Sequence, residues 1–203
     1  MRRLAGLLCC LLFVLPAFAQ DKDKGKEKKA PDTSTPKYDI TVGFEYRSYY
    51  PNTMPRFGTN GWTATLDYNI FRHFLAAVLD ATGTYSNQGQ GGYTDIYTVT
   101  AGPRVYPLGH RHRLTVYGQA LFGEGYIRYK PPFNSGFPGM LMHDNRYTLS
   151  GGGGVEHRWG ERWAIRLIEF DYESTRFFTT SGITGQSNYR LSFGITRRFG
   201  HKD

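Results

Sequence analysis

The sequence predicts an all-β protein, an eight-stranded antiparallel up-and-down transmembrane β-barrel. Three observations lead there. From Tyr38 onward apolar and polar residues alternate with a period of two, and no long stretch has helical period. The alternating segments number eight, and several reach the roughly ten residues a tilted strand needs to cross a bilayer core. Short connections alternate with longer ones, as in a barrel with tight turns at one end and loops at the other.

What precedes the strands is not part of them. Residues 1–19, "MRRLAGLLCCLLFVLPAFA", read as a signal peptide: Arg2 and Arg3 are the basic start, Leu4 to Leu15 the apolar run, and Ala17-Phe18-Ala19 the cleavage site. The run is shorter than the roughly 20 residues of a spanning helix. Cys9 and Cys10 follow Leu7-Leu8 instead of small residues, which argues against a lipoprotein signal. Both leave with the signal, so the mature chain has no disulfide and no thiolate metal ligand. Residues 20–36, "QDKDKGKEKKAPDTSTP", carry almost nothing apolar and read as a disordered periplasmic leader. The formal charge of +8 falls to +6 without Arg2 and Arg3. In an exported chain that reads as a solvated surface with a mild basic excess, and any counterpart is anionic lipid or polysaccharide phosphate, not nucleic acid. A mean hydropathy of -0.49 does not exclude a barrel, because alternating faces average out.

The first segment sets Tyr38, Ile40, Val42, Phe44 and Tyr46 against Asp39, Thr41, Gly43, Glu45 and Arg47. The second sets Trp62, Ala64, Leu66, Tyr68 and Ile70 against Thr63, Thr65, Asp67 and Asn69. In the third, Leu75, Ala77, Leu79, Ala81 and Tyr85 oppose Asp80, Thr82 and Thr84. The fourth opposes Tyr97, Val99, Ala101, Pro103 and Val105 to Thr98, Thr100, Gly102 and Arg104. In the fifth, Leu114, Val116, Ala120 and Phe122 face away from Thr115, Tyr117 and Gln119. The sixth alternates Tyr147, Leu149 and Val155 with Thr148, Ser150, Glu156 and Arg158. The seventh puts Arg166 on the polar face, slips at Leu167-Ile168, then puts Glu169, Asp171 and Glu173 there; the slip predicts a β-bulge. The eighth sets Tyr189, Leu191, Phe193, Ile195 and Phe199 against Arg190, Ser192, Gly194, Thr196 and Arg198. Short turns are expected at Phe71–Phe74, Pro107–Arg113 and Trp159–Arg162, and longer loops at Pro51–Thr59, Ser86–Gly92, Tyr129–Asn145 and Phe177–Gly185.

A soluble sheet would bury the greasy faces. Here their Tyr and Trp residues fall near the strand ends, with Leu, Val and Ala between. That distribution suits aromatic girdles at two interfaces, with the polar face enclosed. The enclosed set then includes Glu45, Arg47, Asp67, Asp80, Arg104, Glu156, Arg166, Glu169, Asp171 and Arg190 as a lumen charge network, expected to plug the barrel by pairing. A narrow ion or small-solute channel lined by the same residues is the alternative.

The end of the chain, "YRLSFGITRRFG", alternates up to the aromatic Phe199 and resembles the carboxy-terminal β-signal of outer-membrane barrels, with "GHKD" as a tail and Arg197 where an apolar residue is common. Residues 37–199, with "GWTATLDYNIFRHFLAAVLDATGTY" and "LSGGGGVEHRWGERWAIRLIEFDYESTRF", resemble the small outer-membrane β-barrel family of the OmpA/OmpX type. An even strand number returns both termini to the periplasmic side. The resemblance implies a Gram-negative outer-membrane location. It also implies outer-membrane lipid and lipopolysaccharide as surroundings, recognition of the last strand by the barrel-assembly machinery, and a monomer. It implies little about function, since a fold is not a function.

The search for chemistry finds no catalytic site, cofactor or metal site. His143-Asp144 with Ser135, Ser174 or Ser181 is the only hydrolase-like grouping, and no His-x-Ser strand motif of the lipid A deacylases accompanies it. His110 and His112 lack further ligands. "GGGG" at 151–154 lacks the Lys-Ser/Thr of a phosphate loop and reads as a place of close strand approach, against a neighbouring Tyr or Phe. The apolar loop 130–143, with Phe133, Phe137, Met140, Leu141 and Met142, is expected either to bind a partner or to fold over the barrel mouth. The expected function is therefore non-enzymatic, envelope integrity or surface interaction, with a channel or a lipid A-modifying enzyme as alternatives.

Overall fold

Each alternating segment pairs with the next, and the last returns to the first. The computed structural model describes residues 35–202, except 51–55, 72–73, 90, 110–112, 132–140, 161, 176–177, 180–181 and 184–185. The expected signal peptide lies outside the described residues, as does all of the leader but its last two. The strands are β1 (Thr35–Tyr49), β2 (Phe57–Phe71), β3 (Leu75–Gly89), β4 (Gly92–Val105), β5 (Leu114–Lys130), β6 (Met142–Trp159), β7 (Trp163–Thr175), the two-residue β8 (Phe178–Thr179) and β9 (Gly182–Ile183), and β10 (Gln186–Lys202). β8 and β9 pair with each other; the other eight form one closed barrel, all neighbours antiparallel.

Closure satisfies the backbone groups that an open sheet edge would leave exposed to hydrocarbon. It also moves two expected boundaries. Thr35 pairs with Lys202 and Pro36 with His201, so the barrel takes in the end of the expected leader and most of the expected 200–203 tail. The ladder is staggered. Paired residues lead from Ile40 through Leu66, Leu79, Ala101, Phe122, Leu149 and Ser174 to Ser187, which lies beyond the Ser48–Tyr189 pair. Such stagger tilts the strands by roughly 35–45° to the barrel axis.

The polarity is inverted relative to a soluble protein. Val42 is 58% exposed and Phe122 57%, whereas Arg47, Arg104 and Arg166 are fully buried. Exposed tyrosines and tryptophans collect at the two ends of the outer wall, while Phe122, Phe170 and Phe193 lie between. Tyr46, Trp62, Tyr85, Tyr126, Tyr147, Tyr172 and Tyr189 lie toward the loops, and Tyr38, Tyr68, Trp159, Trp163 and Phe199 toward the termini. These are the two girdles expected from the sequence, where amphipathic rings meet both interfaces.

The bulge falls where the alternation slips. Val155 pairs with Ile168 and Glu156 with Arg166, while Ser192 pairs with Glu169 and Gly194 with Arg166. Leu167 and Ile168 both face outward, at 51% and 46% exposure. The extra residue keeps Arg166 and Glu169 on the same, inner side.

Three loops are shorter than expected: β2 takes in Phe57–Thr59, β5 and β6 take in Tyr129, Lys130 and Met142–Asn145, and a third is nearly lost. β3 runs to Gly89 and β4 starts at Gly92, so the expected Ser86–Gly92 loop is mostly ladder, with Asn87 paired to Tyr93. Gly91, at φ 77°, provides the left-handed turn residue that a tight hairpin needs. This connection is shorter than the one from Tyr106 to Arg113, contrary to the expected alternation of lengths.

Glycines 151–154 lie mid-strand in β6, as expected. Gly152 and Gly154 face inward. A Cβ at Gly154 would stand 2.5 Å from the Tyr117 hydroxyl, and one at Gly152 would run into the Phe170 carbonyl and the Asp171 carboxylate. A Cβ at Gly151 meets nothing nearer than 3.9 Å. Gly152→Ala is therefore expected to cost about 1–3 kcal/mol. Gly151→Ala should stay within about 0.5 kcal/mol. Urea unfolding in lipid vesicles, followed by tryptophan fluorescence, compares them; equal effects would refute the close approach.

Candidate functional site

The inner wall is the most unusual environment in the molecule. Among the described residues, eight carboxylates (Asp39, Glu45, Asp67, Asp80, Glu156, Glu169, Asp171 and Glu173) and five arginines (Arg47, Arg104, Arg166, Arg190 and Arg198) are buried there. All ten residues expected to form the lumen network are among them. A buried charge is tolerable only when paired and hydrogen-bonded, and each large cation reaches across the lumen to find its partners.

Arg47 on β1 donates from Nε to Glu45 at 3.1 Å, from Nη1 to Glu173 on β7 at 3.1 Å, and from Nη2 to the Thr82 hydroxyl on β3 at 2.9 Å. Arg104 on β4 donates to Asp67 on β2 at 2.5 Å, to Gln119 on β5 at 2.6 Å and to Glu169 on β7 at 3.2 Å. Arg166 on β7 binds Glu156 on β6 at 3.1 Å and lies 3.0 Å from Glu169; its Nη atoms also donate to Thr65 and Thr41, each at 3.2 Å. Arg190 on β10 binds Asp171 at 2.6 Å, Glu169 at 3.2 Å, and Asp80 on β3.

Glu169 is the meeting point. Beyond three arginines, it accepts the Tyr117 hydroxyl at 2.5 Å and the Ser192 hydroxyl at 3.3 Å. It stands there because of the bulge. Strict alternation from Arg166 would aim Glu169, Asp171 and Glu173 at lipid, since a one-residue slip reverses every later side chain.

Both ends of the lumen are filled by residues the sequence reading did not single out. Toward the loops, Tyr49, Ile96 and Ile127 pack together with Phe57 against them, the Tyr49 and Phe57 rings 5.2 Å apart. Toward the termini, Tyr106 packs on Ala76 and on Tyr117, at 5.9 Å between rings. Tyr106 donates its hydroxyl to Asp67 at 3.3 Å, and the Arg104 guanidinium sits 4.2 Å from the Tyr117 ring centroid. The signal for Tyr106 was its parity with Arg104 within the expected fourth strand.

The other candidates are not brought together. Phe133, Phe137 and Met140, with His110, His112, Ser135 and Ser181, lie outside the described residues. Leu141 is exposed just before β6, and Met142 is the first residue of that strand. His143 pairs with Arg128, and Ser174 pairs with Leu149 well down the same strand. Asp144 is engaged by Arg146 at 3.2 Å.

Inverted polarity, closure and the enclosed ion network define a small transmembrane β-barrel, and solved structures agree. Neisserial surface protein A superposes with a TM-score of 0.62 at 11% identity, covering 80% of this chain and 97% of that one. Ail, the attachment invasion locus protein of Yersinia pestis, gives 0.53 at 16% identity, covering 78% and 97%. Ail in complex with the heparin analogue sucrose octasulfate gives 0.52. No protein-family model matches the sequence, and no curated protein does. The chain has the eight-stranded barrel fold of the OmpA/OmpX type of outer-membrane protein.

Replacing Arg190 by Met leaves Asp80 and Asp171 without its guanidinium. This should cost about 3–5 kcal/mol, the price of an uncompensated buried charge. Adding Asp80→Asn should recover part of it. The unfolding midpoint at constant m-value reads both, and an additive double variant would show that the pair is not coupled.

Proposed function

We propose that the protein resides in a bacterial outer membrane with both termini periplasmic, that its lumen is a structural plug, and that it acts without catalysis. Its role is envelope integrity or surface interaction through the segments at the loop end. The observation that carries this is the filled interior: four arginines bind side chains on strands that are not their ladder neighbours, with an apolar cluster above them and Tyr106 below. A conducting lumen needs charged groups that water and ions can reach, and these are paired with each other instead. The location and a cell-surface role are supported by the apolar belt, the signal-like start and the barrel likeness to Ail. Outer-membrane lipid and lipopolysaccharide would surround the belt, the carboxy-terminal strand β10 would engage the barrel-assembly machinery, and the unit is a monomer.

Planar bilayers containing the refolded protein should show no regular conductance steps. Discrete, reproducible openings would replace the plug with the channel reading. Orientation is read separately, since the mature chain has no cysteine of its own. Leu141→Cys should react with a membrane-impermeant maleimide on intact cells. Leu108→Cys, in the exposed turn at the other end, should react only after permeabilisation. The reverse pattern would invert the topology.

A further inference from the structure

Arg197 is out of place. It lies on the outer wall of β10, where the other outward residues are Tyr189, Leu191, Phe193, Ile195 and Phe199. It pairs with Ile40 on one side and Trp163 on the other, so it stands inside the apolar belt near the terminal end. Among the described residues no carboxylate pairs with it. Its guanidinium instead rests 5.3 Å from the Trp163 ring centroid and 5.0 Å from that of Phe199. A lipid-facing charge is costly unless it reaches an anion at the interface.

Beside it the wall is indented. A groove of about 980 Å³ runs between the Phe44–Phe193 ring pair, 5.4 Å apart, and Trp159 with Trp163. Its floor is the backbone of Gly43 and Gly194, paired across β1 and β10. Arg162, exposed at the head of β7, adds a second cation at the same end.

The geometry points to a binding site for an anionic glycerophospholipid, its phosphate on Arg197 and one acyl chain in the groove. The argument is complementarity. The groove is mostly apolar and lies on the outer wall, and the cation rests on Trp163, the ring that closes the groove on the side of the termini. Among the described residues, a second copy of the chain would bring another Arg197 and no carboxylate on the same outer stripe to meet it. The choice of a glycerophospholipid over lipopolysaccharide rests on the orientation proposed above, which puts this end in the inner leaflet.

The test uses Trp62→Phe, which leaves Trp159 and Trp163 as the only tryptophans. The protein is refolded into phosphatidylcholine vesicles, and acyl-brominated phosphatidylglycerol or phosphatidylcholine is added at matched fractions. Phosphatidylglycerol should quench preferentially, with a relative affinity about fivefold higher, the effect of one arginine at an anionic surface. Arg197→Gln should abolish that preference while the unboiled gel mobility of the folded barrel is retained. Equal quenching by the two lipids, or a preference that survives Arg197→Gln, overturns the site, and so does stronger displacement by lipid A at matched phosphate. Vesicles do not sense orientation, so a lost preference counts against this site alone and a reversed labelling pattern against the topology alone.

Discussion

The enclosed guanidinium groups are what the interior is arranged around. All five have to be paired in a lumen only just wide enough for side chains. The inner faces of the strands are accordingly built of carboxylates, of threonines such as Thr41, Thr65 and Thr82 that accept from the arginines, and of glycines that leave room. Such buried networks are poor sources of net stability, because desolvation offsets the attraction. Their stronger effect is on register. A one-residue slip of any wall strand would carry its charges into hydrocarbon and its apolar stripe into the lumen, so the ionic contents select one pairing among the many a flat ladder permits.

Most of the wall was legible in the sequence, for a physical reason. Lipid outside and ions inside impose period two on every strand, and each departure has to be repaired in place. Leu167-Ile168 shows this best: two adjacent apolar residues between Arg166 and Glu169 are consistent with one enclosed face only if the strand bulges. The ends of the lumen were less legible. Tyr49, Ile96, Ile127 and Tyr106 face inward but are apolar or aromatic, because there they pack on one another instead of on the ions. A reading that equates inward with polar passes over them. The partners were not legible at all. That Arg190 reaches Asp80 and Arg104 reaches Glu169 follows from the stagger of the closed ladder, which no single strand reveals.

The hairpin at Gly89–Gly92 marks another limit. A run of Gly, Gln and Asn looks like a loop, yet backbone pairing asks only for reachable partners, and Gly91 alone needs an unusual conformation. The likeness to Neisserial surface protein A at 11% identity has the same origin. Alternation and closure constrain which face a residue occupies far more than which residue it is, so very different sequences can form the same wall.

Pairing between β1 and β10 has a consequence for how the molecule comes into being. The first wall residues to be synthesised hydrogen-bond the last, across almost the whole length of the chain. Contacts this distant in sequence are slow to find, because their closure entropy is met before any reward. Until the seventeen residues of β10 exist, every partial chain has two raw edges and no way to enter hydrocarbon with its amides satisfied. Insertion cannot follow the ribosome strand by strand; it has to wait until the closing strand is there to seal both edges.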